Sequence, residues 1–177
     1  PVDMMVGFSH AAIGTAVADF LHGRGHRHIA MVSANDARAR ARVAAFAARA
    51  EALDLPVVPA AFTPAPSTMG AGRAGLADLL ARSPQVTAVF CSSDMLALGT
   101  SIEARERGLL IPQQLAIVGL GDQGFAADAA PPLTTVRIDG TRIGRLAAEM
   151  LVARVDGQPH DEAVVDIGFS IVDRLSA

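Results

Sequence analysis

The chain has 177 residues, 51% of them hydrophobic, which is enough to bury one core without disulfides or metals. The net charge is −3, with fifteen arginines and no lysine, so we expect no DNA binding by this chain alone. It has a single cysteine, no apolar run that reaches the roughly 20 residues of a membrane helix, and no recognisable secretion signal. We therefore expect a cytoplasmic protein with no membrane partner.

Short β-branched runs alternate along the chain with alanine-rich segments of helical spacing. We predict a helix over 11–24, a buried strand over 28–33 and an amphipathic helix over 37–53. Strand, helix, strand, helix and strand then follow over 57–62, 72–83, 87–92, 95–108 and 115–120. This order predicts an α/β fold, a doubly wound parallel sheet that binds ligands at the carboxyl ends of its strands.

Most residues that follow the predicted strands are polar, as a ligand-binding edge of such a sheet requires. In chain order they are Asn35, Asp36 and Arg42; Phe62 and Thr63; Ser92, Ser93 and Asp94; and Gly121, Asp122 and Gln123. We predict that these four groups form one polar rim.

The stretch GLGDQG, residues 119–124, matches the dinucleotide fingerprint G-x-G-x-x-G, with Asp139 where a ribose-binding acid is expected. The next helix would be under two turns long before Pro131, and Asp122 would repel phosphates. A dinucleotide-dependent enzyme is therefore only a remote alternative. Nothing indicates another cofactor, a catalytic base for CSSD, or a metal site at the glycine-interrupted His22 and His26.

Four segments carry a resemblance that covers essentially the whole chain: GRGHRHIAMV, FCSSDMLALG, ARERGLLIPQQLAIVGLGD and PPLTTVRIDGTRIGRLAAEML. In this order and spacing they resemble the effector domain of the LacI/GalR class of bacterial transcription regulators, whose fold is that of type I periplasmic binding proteins. The variants GLGDQGFAAD and CSSDMLALG are most similar to the branch that regulates gluconate utilisation. The resemblance implies no enzyme activity.

The resemblance also implies two lobes. Residues 1–8 would be the tail of the N-terminal lobe, 9–136 the C-terminal lobe, 137–157 a crossover helix of the N-terminal lobe, and 158–177 a return to the C-terminal lobe. The family's helix-turn-helix domain has no counterpart here, so operator DNA would be bound only through a domain outside this sequence. The apolar face of the crossover helix lacks its usual sheet, and we expect it to pack elsewhere or to be loosely ordered.

The function implied is that of a sugar-type effector sensor in a homodimeric repressor. Effector binding between the lobes would change their angle and hence the spacing of two DNA-binding heads. Met95, Leu98 and Ile102 are candidate dimer contacts, with core packing as the alternative. A periplasmic-type sugar-binding protein of the same fold is the alternative function.

Family positions also nominate ligand contacts. Arg42 matches a ligand-contacting arginine, with a solvated helix arginine as the alternative, and Ser93 matches a position where the family often has asparagine. Gly121 stands where many members carry an aspartate, and the loss of a carboxylate favours an acidic effector because like charges repel. We expect Asp94 to be a structural N-cap of the next helix. Asp36, Thr63 and Asp122 are further ligand candidates, and Phe62 is either a cleft wall or a core residue.

Overall fold

A computed structural model describes residues 4–157 and 164–177. The elements in chain order are β1 (Met5–Gly7), α1 (His10–Gly23), β2 (Ile29–Ala34), α2 (Ala37–Ala52), β3 (Ala60–Thr63), α3 (Met69–Arg82), β4 (Ala88–Cys91), α4 (Asp94–Glu106), β5 (Ala116–Leu120), β6 (Thr134–Arg137), α5 (Gly140–Val155), β7 (Val164–Asp166) and β8 (Ser170–Val172). A single 3-10 turn, Gly124–Ala126, lies between β5 and β6.

Six strands form the main sheet in the order β3-β2-β4-β5-β6-β8, and every neighbouring pair from β3 to β6 is parallel. Val89 and Cys91 pack in a cluster with residues of α3 and α4. Phe90, between them on β4, instead contacts Phe46 of α2, with ring centroids 5.8 Å apart. Because successive strand residues point to opposite faces, the helices cover both faces of the sheet. The predicted α/β class is confirmed.

The local sequence explains where these elements begin. All six residues of β2 are buried, as a central parallel strand requires. Asp36 caps α2 by accepting a hydrogen bond from the Ala39 N–H at 2.9 Å, and Thr68 caps α3 through the Ala71 N–H at 3.1 Å. The strand predicted over 57–62 begins only at Ala60, and Val57 is 95% exposed.

Two glycines set the packing of α3 on α4. A Cβ on Gly72 would lie 2.2 Å from the Leu96 carbonyl oxygen, and a Cβ on Gly99 would lie 2.0 Å from the Met69 carbonyl oxygen. Both distances are far inside van der Waals contact, and the clashing atoms belong to the backbone. The two helices can therefore approach this closely only without side chains at both positions.

The chain divides into two compact units. The larger contains His10–Arg137 and Ile171–Ala177, and the smaller contains the described residues of Pro1–Ser9 and Ile138–Ser170. The expectation that 158–177 return to the larger unit is wrong for its first described part, because β7 pairs in parallel with β1 in the smaller unit. The return takes place at Ile171, and residues 158–163 lie outside the described chain.

Within the smaller unit, α5 packs against β1. A pocket of about 200 Å³ between them is lined by Met4, Met5, Val6, Ala147, Met150 and Leu151. Of the expected apolar face of α5, only Met150 is buried, while Ile143 and Leu146 are half-buried and Ala147 and Leu151 are exposed. The short β1 thus covers only part of that face.

Candidate functional site

The carboxyl ends of β2 to β6 meet at one edge of the main sheet, because these strands are parallel neighbours. Two predicted rim residues, Ser92 and Thr63, form hydrogen bonds between neighbouring strands at this edge. The Ser92 hydroxyl accepts a hydrogen bond from the Ala34 N–H at 2.9 Å, and the Thr63 hydroxyl donates to the Ser33 carbonyl at 3.4 Å. Both side chains are buried, so their first role is to hold the strand ends in register.

Arg42 is the most unusual residue of the edge. It is only 6% exposed, although it lies on a helix among the exposed Arg38 and Arg40. Its Nη1 donates to Nδ1 of His10 at 2.8 Å, whereas its buried Nε has no hydrogen-bond partner among residues 4–157 and 164–177. Burial lowers the pKa of Arg42, yet an arginine stays protonated in proteins. The alternative of a solvated helix arginine is therefore wrong.

No carboxylate of the described residues forms an ion pair with Arg42. The carboxylate nearest in sequence, Asp36, is exposed and caps α2. The hydrogen bond from the Ala39 N–H lowers the pKa of Asp36, so this carboxylate is ionised but committed to the helix end. Within the described part of the chain, Arg42 is thus a buried cation without a paired anion.

We expected Asp94 to be the N-cap of α4, and this prediction is wrong. The N-cap is Ser93. The Ser93 hydroxyl accepts a hydrogen bond from the Leu96 N–H at 3.3 Å. Asp94 is fully buried and accepts from the Thr135 hydroxyl at 2.6 Å and from the Gln123 N–H at 2.7 Å. Burial raises the pKa of Asp94, and these two hydrogen bonds oppose that effect. Its carboxyl group therefore ties α4 to the ends of β5 and β6.

The GLGDQG stretch is shaped by this buried carboxyl group. A Cβ on Gly119 would lie 2.3 Å from Asp94 Oδ1, and one on Gly121 would lie 3.4 Å from Asp94 Oδ2. Gly121 also has a φ of +132°, which a side chain would strain. An aspartate at 121 would therefore be both strained and repelled by Asp94. The backbone gives its own reason for glycine, so Gly121 does not by itself indicate an acidic effector.

Asp122 follows in a left-handed conformation, with a φ of 49°. Its Oδ1 accepts a hydrogen bond from Arg174 Nη2 at 2.7 Å, and its Oδ2 accepts from Arg137 Nε at 2.5 Å. Burial raises the pKa of Asp122, but the hydrogen bonds from the two arginines outweigh it and lower the pKa overall. Asp94 also interacts electrostatically with Asp122 and Arg174, so two carboxyl groups and two guanidinium groups share this end of the sheet.

Sequence reasoning missed His10, Arg137 and Arg174. Arg137 ends β6, a strand that was not counted, and the same rule of polar strand ends would have found it. His10 precedes the first predicted helix, and Arg174 is 52 residues from Asp122 along the chain. The local sequence around His10 and Arg174 contains no pattern that would indicate a role in the site.

Phe62 is not a core residue, because half of its surface is exposed. The candidate dimer contacts Met95, Leu98 and Ile102 are half-buried along α4, beside a core face formed by Leu96 and Ala97. Asp139, the candidate ribose acid, caps α5 by accepting from the Arg142 N–H at 2.9 Å. In the described residues, no helix is long and apolar enough to cross a membrane, and no cluster of acidic, histidine or cysteine side chains could hold a metal ion.

Comparison with known proteins places the chain in a family. A model of the periplasmic binding protein-like domain matches residues 18–177. The HTH-type transcriptional regulator GntR of Pseudomonas aeruginosa is 36% identical over 177 residues, covering 97% of this chain and 50% of the relative. GntR of Escherichia coli strain K12 is 29% identical over 172 residues, covering 96% and 51%.

Comparison with solved structures indicates the same family. The transcription regulator GntR from Chromobacterium violaceum superposes with a TM-score of 0.89 at 34% identity, over 97% of this chain and 64% of that structure. The chain spans about half the length of the curated relatives it matches. These relatives are transcriptional regulators and not enzymes. The chain therefore belongs to the periplasmic binding protein-like family, as the effector-binding type of domain found in LacI-family transcriptional regulators.

Proposed function

We propose that this chain senses an acidic sugar such as gluconate for a LacI-family regulator in the cytoplasm. The observation that supports an acidic effector is Arg42, a buried guanidinium with an unpartnered Nε and no paired carboxylate among the described residues. Burying an unpaired charge costs folding free energy, and so does an unsatisfied buried N–H. A carboxylate bound at this guanidinium would offset both costs.

The geometry of a guanidinium suits this task. Its nitrogens present donors in a planar fork that matches the two oxygens of a carboxylate. In Arg42 the Nη1 is engaged by His10, while the buried Nε has no acceptor among the described residues. We assign this guanidinium to the effector's carboxylate.

The other strand ends supply groups for the rest of a sugar acid. Asp36 is exposed at the end of β2 and can accept hydrogen bonds from sugar hydroxyls. The Ser93 hydroxyl accepts from Leu96 but keeps its own proton to donate. Phe62 offers an exposed ring to the apolar edge of the carbon chain. Thr63 and Gly121 shape the backbone of the rim, and Asp122 contributes a carboxylate.

The ends of β5 and β6 add one accessible cation. Arg137 pairs with Asp122, and 53% of the Arg137 side chain is exposed. An anion that reaches this end of the rim can therefore accept a hydrogen bond from the exposed part of that guanidinium.

The regulatory part of the proposal rests on the relatives, which are transcriptional regulators about twice as long as this chain. We propose that operator binding belongs to a domain outside this sequence. Met95, Leu98 and Ile102 of α4 are the proposed homodimer contacts, because they are apolar and half-exposed.

A thermal-shift titration of the complete protein tests the effector class. Gluconate and 6-phosphogluconate are compared with glucose and galactose, and unfolding is followed by circular dichroism because the chain has no Trp or Tyr. A ligand at 100 times its dissociation constant stabilises by about 2.7 kcal/mol, which raises the melting temperature by several degrees. We expect that shift with the acids only.

Two variants assign the shift to a residue. Arg42→Gln removes the buried guanidinium, and we expect it to abolish the shift with gluconate. Arg49→Gln is the matched control, because it removes an arginine from the same helix that pairs with Asp19 on the surface. A shift with neutral sugars alone, or one that survives in Arg42→Gln, would contradict the proposal.

A further inference from the structure

The contact between Arg42 and His10 defines the protonation state of the histidine. The two side chains come from different helices, α2 and α1, and Arg42 Nη1 lies 2.8 Å from Nδ1 of His10. An arginine can only donate hydrogen bonds. The imidazole must therefore accept at Nδ1, which fixes it as the neutral tautomer with its proton on Nε2.

The surroundings of His10 favour this neutral form. Burial lowers the pKa of His10, and the positive charges of Arg42 and then Arg38 lower it further, whereas Asp36 raises it. These three charged groups all lie on α2. A proton on His10 would place two positive charges at hydrogen-bonding distance, so His10 is neutral at pH 7 as long as Arg42 carries no anion.

An anion changes that balance. The negative charge of a carboxylate beside Arg42 would cancel the repulsion that disfavours protonation of its neighbour. Because the two nitrogens are only 2.8 Å apart, one carboxylate group can reach both. Its two oxygens would then need two donors, and neutral Nδ1 offers only a lone pair.

We propose that His10 is a second anion-binding residue of this site, which takes up a proton from solvent when an acidic effector binds beside Arg42. The proton goes to Nδ1, and the new N–H donates to one carboxylate oxygen. Arg42 Nη1 redirects its hydrogen from the imidazole to the other oxygen. One proton is gained per effector bound, and the inference rests on the acidic effector proposed above.

This coupling makes affinity depend on pH in a defined direction. The carboxyl group of an aldonic acid is ionised throughout pH 6–8, so a change in affinity over that range comes from the protein. Binding that takes up a proton weakens as pH rises. Since the uptake of one proton lowers the binding constant by up to tenfold per pH unit, we expect gluconate affinity to fall by up to about a hundredfold from pH 6 to pH 8.

The test is calorimetric titration of the complete protein with gluconate at pH 6, 7 and 8. Each titration is repeated in buffers of different ionisation enthalpy, which gives the number of protons taken up. His10→Asn is the informative variant, because an asparagine amide can replace Nδ1 as acceptor for Arg42 but cannot be protonated. His22→Asn, at the other end of α1, is the matched control.

We expect proton uptake in the wild type and in His22→Asn, and a loss of both the uptake and the pH dependence in His10→Asn. Gluconate binding without proton uptake, or equal uptake in His10→Asn, overturns this inference and leaves the proposed function standing. If neither gluconate nor 6-phosphogluconate binds, the proposed function is contradicted and this inference with it. The two failures are therefore distinguishable.

Discussion

The two units of the chain bury their apolar residues to very different extents. In the larger unit, α3 buries Leu76 and Leu79 completely against the main sheet. In the smaller unit, α5 has 16 residues and buries only Met150. Leu151 and Val152 are each 59% exposed and Val155 is 78% exposed. Helices of similar length thus contribute very unequally to the two units.

The difference follows from what each helix has to pack against. The larger unit supplies the five strands β2 to β6 of one sheet, and helices of this chain cover both faces. The smaller unit supplies the two short strands β1 and β7 in its described part. The described part of the smaller unit therefore offers α5 less apolar surface than the larger unit offers α3.

Truncation of one leucine in each unit should give the largest difference in stability. Leu76→Ala should lower the free energy of unfolding by roughly 2–5 kcal/mol, because it leaves a cavity in a packed core. Leu151→Ala should change it by less than about 1 kcal/mol, because that side chain is already mostly in water. Denaturant unfolding of both variants measures the contrast, and equal losses would show that α5 is as well packed as α3.

A smaller effect is expected where backbones touch inside the larger unit. Gly99→Ala and Gly72→Ala should each cost roughly 1–3 kcal/mol, because the added methyl group meets a backbone carbonyl that cannot move alone. Gly70→Ala in the first turn of α3 is the control, since its Cβ would meet nothing closer than the Thr68 hydroxyl at 4.0 Å. Alanine there should be neutral or slightly stabilising, and comparable losses in all three would contradict the close approach.

The smallest change we expect is a pH dependence of the stability of the larger unit. His10 and His26, both in the larger unit, have pKa values lowered mainly by burial. The unfolded chain therefore binds these protons more readily, so stability is highest above the unfolded histidine pKa and is lost as pH falls through it toward the folded values. Unfolding at pH 7.5 and pH 5.5 should show this loss in the wild type and less of it in His10→Asn. An unchanged difference in that variant would argue against a buried neutral His10.

Much of the larger unit could be predicted from the sequence, because its strands are buried runs and its helices have clear apolar faces. The strand 28–33 and the helix 37–53 lie within one residue of β2 and α2. Arg42 was found through a family position and not through its local pattern, which favours a solvated residue. Its burial follows from tertiary packing, which no local pattern contains.

The errors have one physical origin, which is contact between segments that are far apart in the sequence. Ser93 and Asp94 are both good N-cap residues, and the sequence alone does not show which of them is drawn away. Asp94 is engaged by Thr135, 41 residues later, so Ser93 caps the helix. The sequence suggests an effector-related reason for Gly121, yet its positive φ and its closeness to Asp94 already favour glycine. Contacts between distant segments decided both cases.

The central claim is that Arg42 is kept as a buried cation for an anionic effector. Melting temperatures of the complete protein and of Arg42→Met, with and without gluconate, test it most directly. Without ligand, we expect Arg42→Met to be as stable as the wild type or more stable by about 1 kcal/mol, since an apolar side chain replaces an unpaired buried charge. With gluconate, only the wild type should gain stability. A destabilised Arg42→Met that still responds to gluconate would contradict the claim.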